Sequence, residues 1–386
     1  MRSGRQAAAV VTPSVDDPAG TLRAFPGAPL PTLVSTRREW APSLVVGQSA
    51  QALPALLGGL YALCGGAHRL TARHAVAAAR GLAEPVSAQD AEALRVDTLR
   101  EHLRRMWLDW PRVAAVPGES PDVAALAAGC PLLHDAQALE ASRAWIESQV
   151  LGLPAREWLQ RWDAAPQAFA REWTAAGRSW PARWLRAVRE PAQAFVVRPQ
   201  PLALHASALE LQHVARLLAQ DEGFALRPHW RGRAAETGPW TRCADRVALR
   251  DPCLYASAWM RLVSRVVDVA RLVDVDGDHW LAQGALGTGE HEGLAWCEMA
   301  RGLLMHWVRL QPGTGDGAPD RIAACHVLAP TEWNFHPSGV VARLLSALRA
   351  DVPPARVQLL AAAFDPCVDL RVEAAPAVAG EGACTR

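Results

Sequence analysis

Leu53, Leu56, Leu57 and Leu60 recur at helical spacing, and a helical pattern runs over residues 49–80 with a break at Gly65-Gly66. Residues 68–80 read as a separate helix ended by Gly81. A stronger amphipathic pattern covers 90–110, where Leu94, Leu99, Leu103, Met106 and Trp107 trace the apolar side. Pro111 is expected to stop that helix, since it lacks an amide proton and clashes with the preceding turn. Further helices are expected within 134–190 and over 199–219, 255–273, 337–349 and 354–363. Strand signals are sparser. Residues 1–35 read as an irregular lead-in followed by one or two strands, and 273–286 as a hairpin around Asp276-Gly277. Residues 290–310 mix strand and helix signals, and 222–247 and 311–320 read as turns and loop. The small, polar residues 374–386 are expected to form a disordered tail behind a single domain over 1–373.

Composition narrows the picture. The chain has 386 residues, half of them hydrophobic, and a net charge of +1, so a large core is within reach. No basic excess marks a nucleic-acid footprint. All basic residues other than His are Arg; without Lys, neither a lysine Schiff base nor a P-loop is available. Charged residues and prolines interrupt every long apolar run, so no segment reads as membrane-spanning, and the apolar stretch 7–11 is too short for a signal core. Trp145, Trp158, Trp162, Trp173, Trp180 and Trp184 fall in helical stretches and read as packing. Eight cysteines, at 64, 130, 243, 253, 297, 325, 367 and 384, are dispersed with no CxxC pair. That is no disulfide framework, and a reducing cytoplasm is the expected home, where free thiols can bind metal.

Other weak motifs fall away. Asp274-Val275-Asp276-Gly277-Asp278 has its Gly misplaced for a calcium loop and lacks the downstream Glu. The run Gly284 to Gly289 is not GxGxxG and no Rossmann unit surrounds it.

Two cysteine segments carry the chemistry. One reads Tyr61-Ala62-Leu63-Cys64-Gly65-Gly66-Ala67-His68; the other reads Asp365-Pro366-Cys367-Val368-Asp369-Leu370-Arg371-Val372-Glu373. Between them lie Glu298-Met299-Ala300-Arg301-Gly302-Leu303-Leu304-Met305-His306-Trp307 and Ala329-Pro330-Thr331-Glu332-Trp333-Asn334-Phe335-His336-Pro337, the latter holding the chain's only Asn. Ala19-Gly20-Thr21-Leu22-Arg23 stands near the start. Soft thiolates suit iron, nickel or zinc, and distant cysteines must converge to share one ion.

Taken in chain order, these five segments resemble the EGHLR, CGxCxxxH, EAPRGxLxHW, PTxWNxxP and DPCxxCxxH motifs of [NiFe]-hydrogenase large subunits. Each cysteine pair has lost one member, with Tyr61 and Leu370 in place of the missing thiols. The resemblance implies a mainly α (α+β) fold, a hydrogenase large-subunit-like helical core with a small peripheral β portion. It implies that Cys64 matches a cysteine bridging nickel and iron, and Cys367 one terminal on nickel. With two of four thiolates gone, no stable nickel site is expected. Iron would keep Cys64, with Cys367 close enough to help. Arg301 matches the arginine packed over the cyanide-bearing side of the iron, and Thr331 lies in the segment lining the same diatomic ligands. A guanidinium beside a cyanide nitrogen gains a charge-assisted hydrogen bond of ~1.5–3 kcal/mol. His68 is either a donor to a thiolate or a buried histidine satisfied by a carbonyl. Glu298 either orients Arg301 or is solvated, and His306 packs or caps rather than ligates.

The departures imply lost catalysis. Ala19 replaces the acidic residue of the first motif, and Glu373 replaces the histidine after which a precursor tail is cleaved. The chain therefore resembles the HupK/HoxV family of hydrogenase maturation proteins, and is expected not to be an enzyme. That resemblance implies a cytoplasmic scaffold that transiently holds an Fe(CN)2(CO) fragment. Its expected partners are HypC-type and HypD-type maturation proteins and the immature hydrogenase large subunit, with no nucleic acid and no membrane. Two readings compete with it: a metal-free chaperone that mimics the large subunit, and an enzyme with divergent redox chemistry. Cys253, Cys297 and Cys325 remain open as further ligands.

Overall fold

A computed structural model describes residues 19–82, 85–116, 127–246, 251–314 and 318–374. Of the described residues, 54% are helical and 15% lie in strands. The expected tail lies outside the described residues but for its first position.

The central element is the helix Ala258–Val273, in which every residue except Arg271 is buried. Ser257 caps it by accepting from the Met260 amide at 3.2 Å. Being covered on all sides, it must pair its buried charges. Asp268 accepts from the Arg242 Nε at 2.7 Å and lies 2.6 Å from His102 Nε2. Arg261 is held by Glu236 at 2.8 Å. An unpaired charge at this depth costs several kcal/mol, so these partners are conditions of the fold.

Around it pack the helices expected from the sequence. The tryptophans fill the spaces between them. Trp158, Trp162, Trp173, Trp180 and Trp184 are buried, and three of the indoles donate to the carbonyls of Leu151, Met106 and Trp110. Burying an indole while keeping its N–H paired is what favours tryptophan in such positions.

Four antiparallel strands form one sheet in the order β3 (Gln283–Gly289), β4 (Glu292–Met299), β5 (Gly302–Gln311), β6 (Arg321–Leu328). The helix Gly65–Ala79 packs across β3, β4 and β5. A second sheet joins the two ends of the described chain: β1 (Leu22–Ala24) lies between β2 (Leu33–Ser35) and β7 (Leu370–Val372), parallel to the latter. Arg23 on β1 pairs with Glu373 just after β7, so the residue that replaces the motif histidine fastens the C-terminal segment to the N-terminal strand.

Three expectations are corrected. Pro111 does not end its helix. The helix Ala88–Arg104 widens into a π-turn at Arg105–Asp109 and resumes at Trp110–Val113 with Pro111 in its first turn. There a missing amide costs little. Asp276-Gly277 does not make a hairpin; it leads into the short 3-10 turn Gly277–His279. The hairpin is β3–β4, turned at His291 with φ +57°. The helix expected over 199–219 starts only at Ala208, after a Ser207 cap, because Pro201 bridges alongside Glu236 instead.

Candidate functional site

Cys64, Cys367, Arg301, Thr331 and His68 all line one cavity of about 510 Å³. Five residues separated by up to three hundred positions in sequence thus converge as expected. Ala19 and Tyr61 line it too, whereas Leu370 is buried in β7 opposite Leu22.

One wall is built by a sharp bend. The segments Ala50–Leu60 and Ala62–Ala79 meet at 101°, and Cys64 sits at the corner, directly before the helix Gly65–Ala79. The corner closes because Gly65 has no side chain: a Cβ there would lie 2.5 Å from the Gly58 carbonyl oxygen. Burial pushes the Cys64 thiol up to about 12, with Arg301 opposing only part of that rise. Behind it, Tyr61 stacks on His68 at 4.2 Å, and His68 Nδ1 lies 3.0 Å from His306 Nε2. Among the described residues, His68 Nδ1 thus pairs with a histidine rather than with a thiolate or a carbonyl. Burial holds both histidines far below their ordinary range, so the pair is neutral, one ring donating and the other accepting.

The opposite wall is built by ion pairs. Asp365 ends the helix Pro354–Phe364 in a left-handed conformation (φ +50°) and turns the chain into Pro366-Cys367. Its carboxylate faces Arg105 at 2.8 Å, Arg265 at 3.1 Å and Arg301 at 3.7 Å. Burial alone would raise its pKa, but the three guanidiniums hold it well below the usual carboxylate range. Arg105, from the π-turn, also donates to the Pro366 carbonyl at 3.2 Å. The Cys367 sulfur accepts from Thr331 Oγ1 at 3.2 Å and from Arg37 Nη1 at 3.4 Å. Arg37 in turn donates to Glu332 at 2.7 Å. Asn334 locks the segment by accepting from the Thr237 amide and donating to its carbonyl, at 2.9 and 2.8 Å.

Arg301 forms the floor. It lies in the two-residue turn between β4 and β5, where Met299 pairs with Gly302. Gly302 has φ +124°, and a Cβ there would meet Thr237 Oγ1 at 2.5 Å, so glycine is required. Arg301 is 2% exposed and donates through Nη2 to Glu101 at 3.1 Å. Among the described residues its Nη1 finds no hydrogen-bond acceptor, while its Nε faces Asp365 at 3.7 Å. A buried guanidinium with orphaned N–H groups in a cavity is a donor set awaiting an acceptor. Glu298 does not orient it by hydrogen bond; it is buried and accepts from the Ala282 amide at 2.8 Å.

Among the described residues, no group of three or more His, Cys, Asp or Glu side chains could hold a metal ion. Cys253 is exposed, while Cys297 and Cys325 are buried outside the cavity lining. Sequence reasoning missed Arg37, Glu332, Glu101 and Arg105. Asp365 was visible as part of its motif, but the three arginines it gathers are not near it in sequence.

The chain resembles known proteins over most of its length. No family model matches the chain. The hydrogenase expression/formation protein HoxV of Cupriavidus necator is 39% identical over 373 residues, covering 92% of this chain and 95% of HoxV. The chain belongs to the HoxV/HupK family of hydrogenase expression/formation proteins. A second member, HupK of Rhizobium leguminosarum bv. viciae, is 33% identical over 355 residues, or 85% of this chain and 88% of HupK. The fold is that of hydrogenase large subunits. An NAD+-reducing [NiFe]-hydrogenase chain aligns with TM-score 0.51 at 15% identity, over 87% of this chain and 91% of its own. The Ni-Fe-Se hydrogenase of D. vulgaris Hildenborough aligns with TM-score 0.50 at 15% identity, over 87% and 92%. Among the described residues of this HoxV/HupK member, no single helix is long and apolar enough to cross a membrane.

Proposed function

We propose that this protein acts in hydrogenase maturation as a non-catalytic scaffold, holding an Fe(CN)2(CO) fragment as cargo before it passes to the [NiFe]-hydrogenase large subunit. The observation that carries this is the cavity in which Cys64 and Cys367 share walls with a buried guanidinium that has donors to spare. Two thiols can coordinate iron softly. Arg301 Nη1 can donate to a cyanide nitrogen, and Thr331 steadies the Cys367 sulfur. The same poverty of ligands suits a carrier, which must release what it binds. Nickel, with two of four thiols replaced, is not part of the cargo. The partners that fit are HypC-type and HypD-type donors and the immature large subunit as acceptor, all in the cytoplasm.

Infrared spectroscopy tests the reading on protein purified anaerobically from cells expressing the maturation machinery. Bands of iron-bound CO and cyanide are expected and should vanish in Cys64→Ala. A second reading, a metal-free chaperone that mimics the large subunit, draws on the absence of any three-ligand cluster among the described residues. It predicts folded protein without bands or iron, and hydrogenase maturation indifferent to both cysteines.

A further inference from the structure

The corner that carries Cys64 borders a second, smaller cavity of about 170 Å³, room for several waters. It shares Leu63 and Cys64 with the cysteine cavity, but Cys367, Arg301 and Thr331 take no part in its lining. One wall is the start of the helix Gly65–Ala79, where Gly65, Gly66 and Ala67 line the space. The first amides of a helix have no partner inside it, and Cys64 at the N-cap supplies no side-chain bond. Aligned peptide dipoles make such an end attractive to an anion.

Another wall is the helix Ala88–Arg104, which contributes Asp97, Thr98, Arg100, Glu101 and Arg104. Thr98 is 2% exposed, and its Oγ1 is buried with no hydrogen-bond partner among the described residues. A helical threonine can satisfy its hydroxyl on the carbonyl four residues back, as Thr71 and Thr174 do at 2.8 Å each. Thr98 does not, so its hydroxyl is left for an occupant of the cavity. Arg100 Nε is likewise buried without a partner among the described residues. Arg69, on the helix Gly65–Ala79, completes the donor set.

The two carboxylates decide what kind of anion fits. Glu101 is already taken, by Arg104 at 3.0 Å and by Arg301 at 3.1 Å. Asp97 makes no hydrogen bond or ion pair among the described residues; burial raises its pKa, and Arg100 and Arg69 offset only part of that rise. It reaches over Gly66, where any side chain would strike its Oδ2. Three guanidiniums and a helix N-terminus disfavour a cation. One unpaired acceptor among these donors disfavours an oxyanion with no proton left. What satisfies the whole set is an oxyanion that keeps a proton to donate.

We propose that this cavity is a binding site for a small protonated oxyanion of the hydrogen phosphate type. Its bare oxygens accept from Arg69, Arg100, the Thr98 hydroxyl and the amides of Gly66 and Ala67, while its O–H donates to Asp97. Bound there, it caps the helix that begins beside Cys64 and stiffens the corner. The site needs no iron and stands or falls apart from the scaffold reading.

Calorimetric titration of the full chain with inorganic phosphate, and with sulfate at equal ionic strength, tests this. The expected result is one saturable phosphate site, with sulfate, which carries no proton at neutral pH, at least tenfold weaker. Thr98→Val and Arg69→Gln should each weaken phosphate at least fivefold; Arg69 is exposed, so its variant should fold. Asp97→Asn, whose amide can donate, should bring sulfate level with phosphate. Hydrogen exchange places the site: phosphate should slow the amides of residues 65–67 severalfold, and sulfate should not. Folded protein with no saturable phosphate binding overturns the proposal. So does sulfate bound as tightly as phosphate by the wild type, an affinity unchanged in Arg69→Gln, or protection that leaves residues 65–67 untouched.

Discussion

The two thiols of the cavity are held in opposite ways. The Cys367 sulfur receives two donors, Thr331 and Arg37, and its segment is pinned by Asp365 and three arginines. Cys64 sits at a helix corner, and behind it stand a phenol and two neutral histidines. The first end is organised by charge, the second by stacking and desolvation. A sulfur that accepts hydrogen bonds before any metal arrives is a fixed anchor. A half-buried thiol with no such donors among the described residues must give up a proton to bind, and regains it on release. On the scaffold reading proposed above, the difference divides the labour: Cys367 would position the cargo, and Cys64 would decide whether it stays.

The comparison can be broken at its stiff end first. Asp365→Asn leaves three guanidiniums without their shared carboxylate, and a loss of about 3–5 kcal/mol is expected in urea unfolding. A loss under 1 kcal/mol would mean the anchor is not electrostatic. The soft end is tested by alkylation. A thiol pushed up to about 12 carries on the order of a thousandfold less thiolate at neutral pH than a free cysteine. Peptide mapping after iodoacetamide should therefore find Cys64 modified slowly, at a rate still climbing above pH 9. Fast labelling at pH 7 would contradict this account of Cys64.

Acid should loosen the histidine-backed structure before the carboxylate-pinned end. Burial holds His102 down at about 4 and His306 at about 3. In the unfolded chain each protonates near 6.5, so below that the unfolded state binds more protons. Stability is then present above pH 6.5 and lost as pH falls toward 4 and 3, by up to about 1.4 kcal/mol per unit for each histidine. Asp365 stays ionised in the fold across this window, and since the unfolded chain protonates it near the usual carboxylate value, its own destabilising contribution begins only at the acid end of the range. Denaturation midpoints from pH 7 to 4 should fall, and more gently in His306→Gln; a flat profile would show that the histidines are not buried neutral. The smallest effect is Thr331→Val, which removes one donor to Cys367 and should cost about 0.5–1.5 kcal/mol in stability.

Much of the cavity was legible in sequence because its residues sit in short motifs with fixed spacing. Cys64, His68, Arg301, Thr331 and Cys367 were readable, and all five line it. Helices with one apolar face, such as the one carrying Leu94, Leu99 and Leu103, were equally plain. β5 was not, because seven of its ten residues in succession are buried, and a strand covered on both faces loses the alternation that marks it. Arg37 and Glu332 were invisible for another reason. They meet 295 positions apart, and each alone looks like a solvated charge. Tyr61 could be seen only as a missing thiol; that its ring stacks on His68 needed the fold.

The central claim is that one iron is shared by two cysteines. X-ray absorption at the iron edge, on protein loaded in cells, counts the sulfur atoms bound to the metal. Two sulfurs in the wild type and one in each of Cys64→Ala and Cys367→Ala is the predicted result. Iron bound without sulfur, or an unchanged sulfur count in either variant, would contradict it.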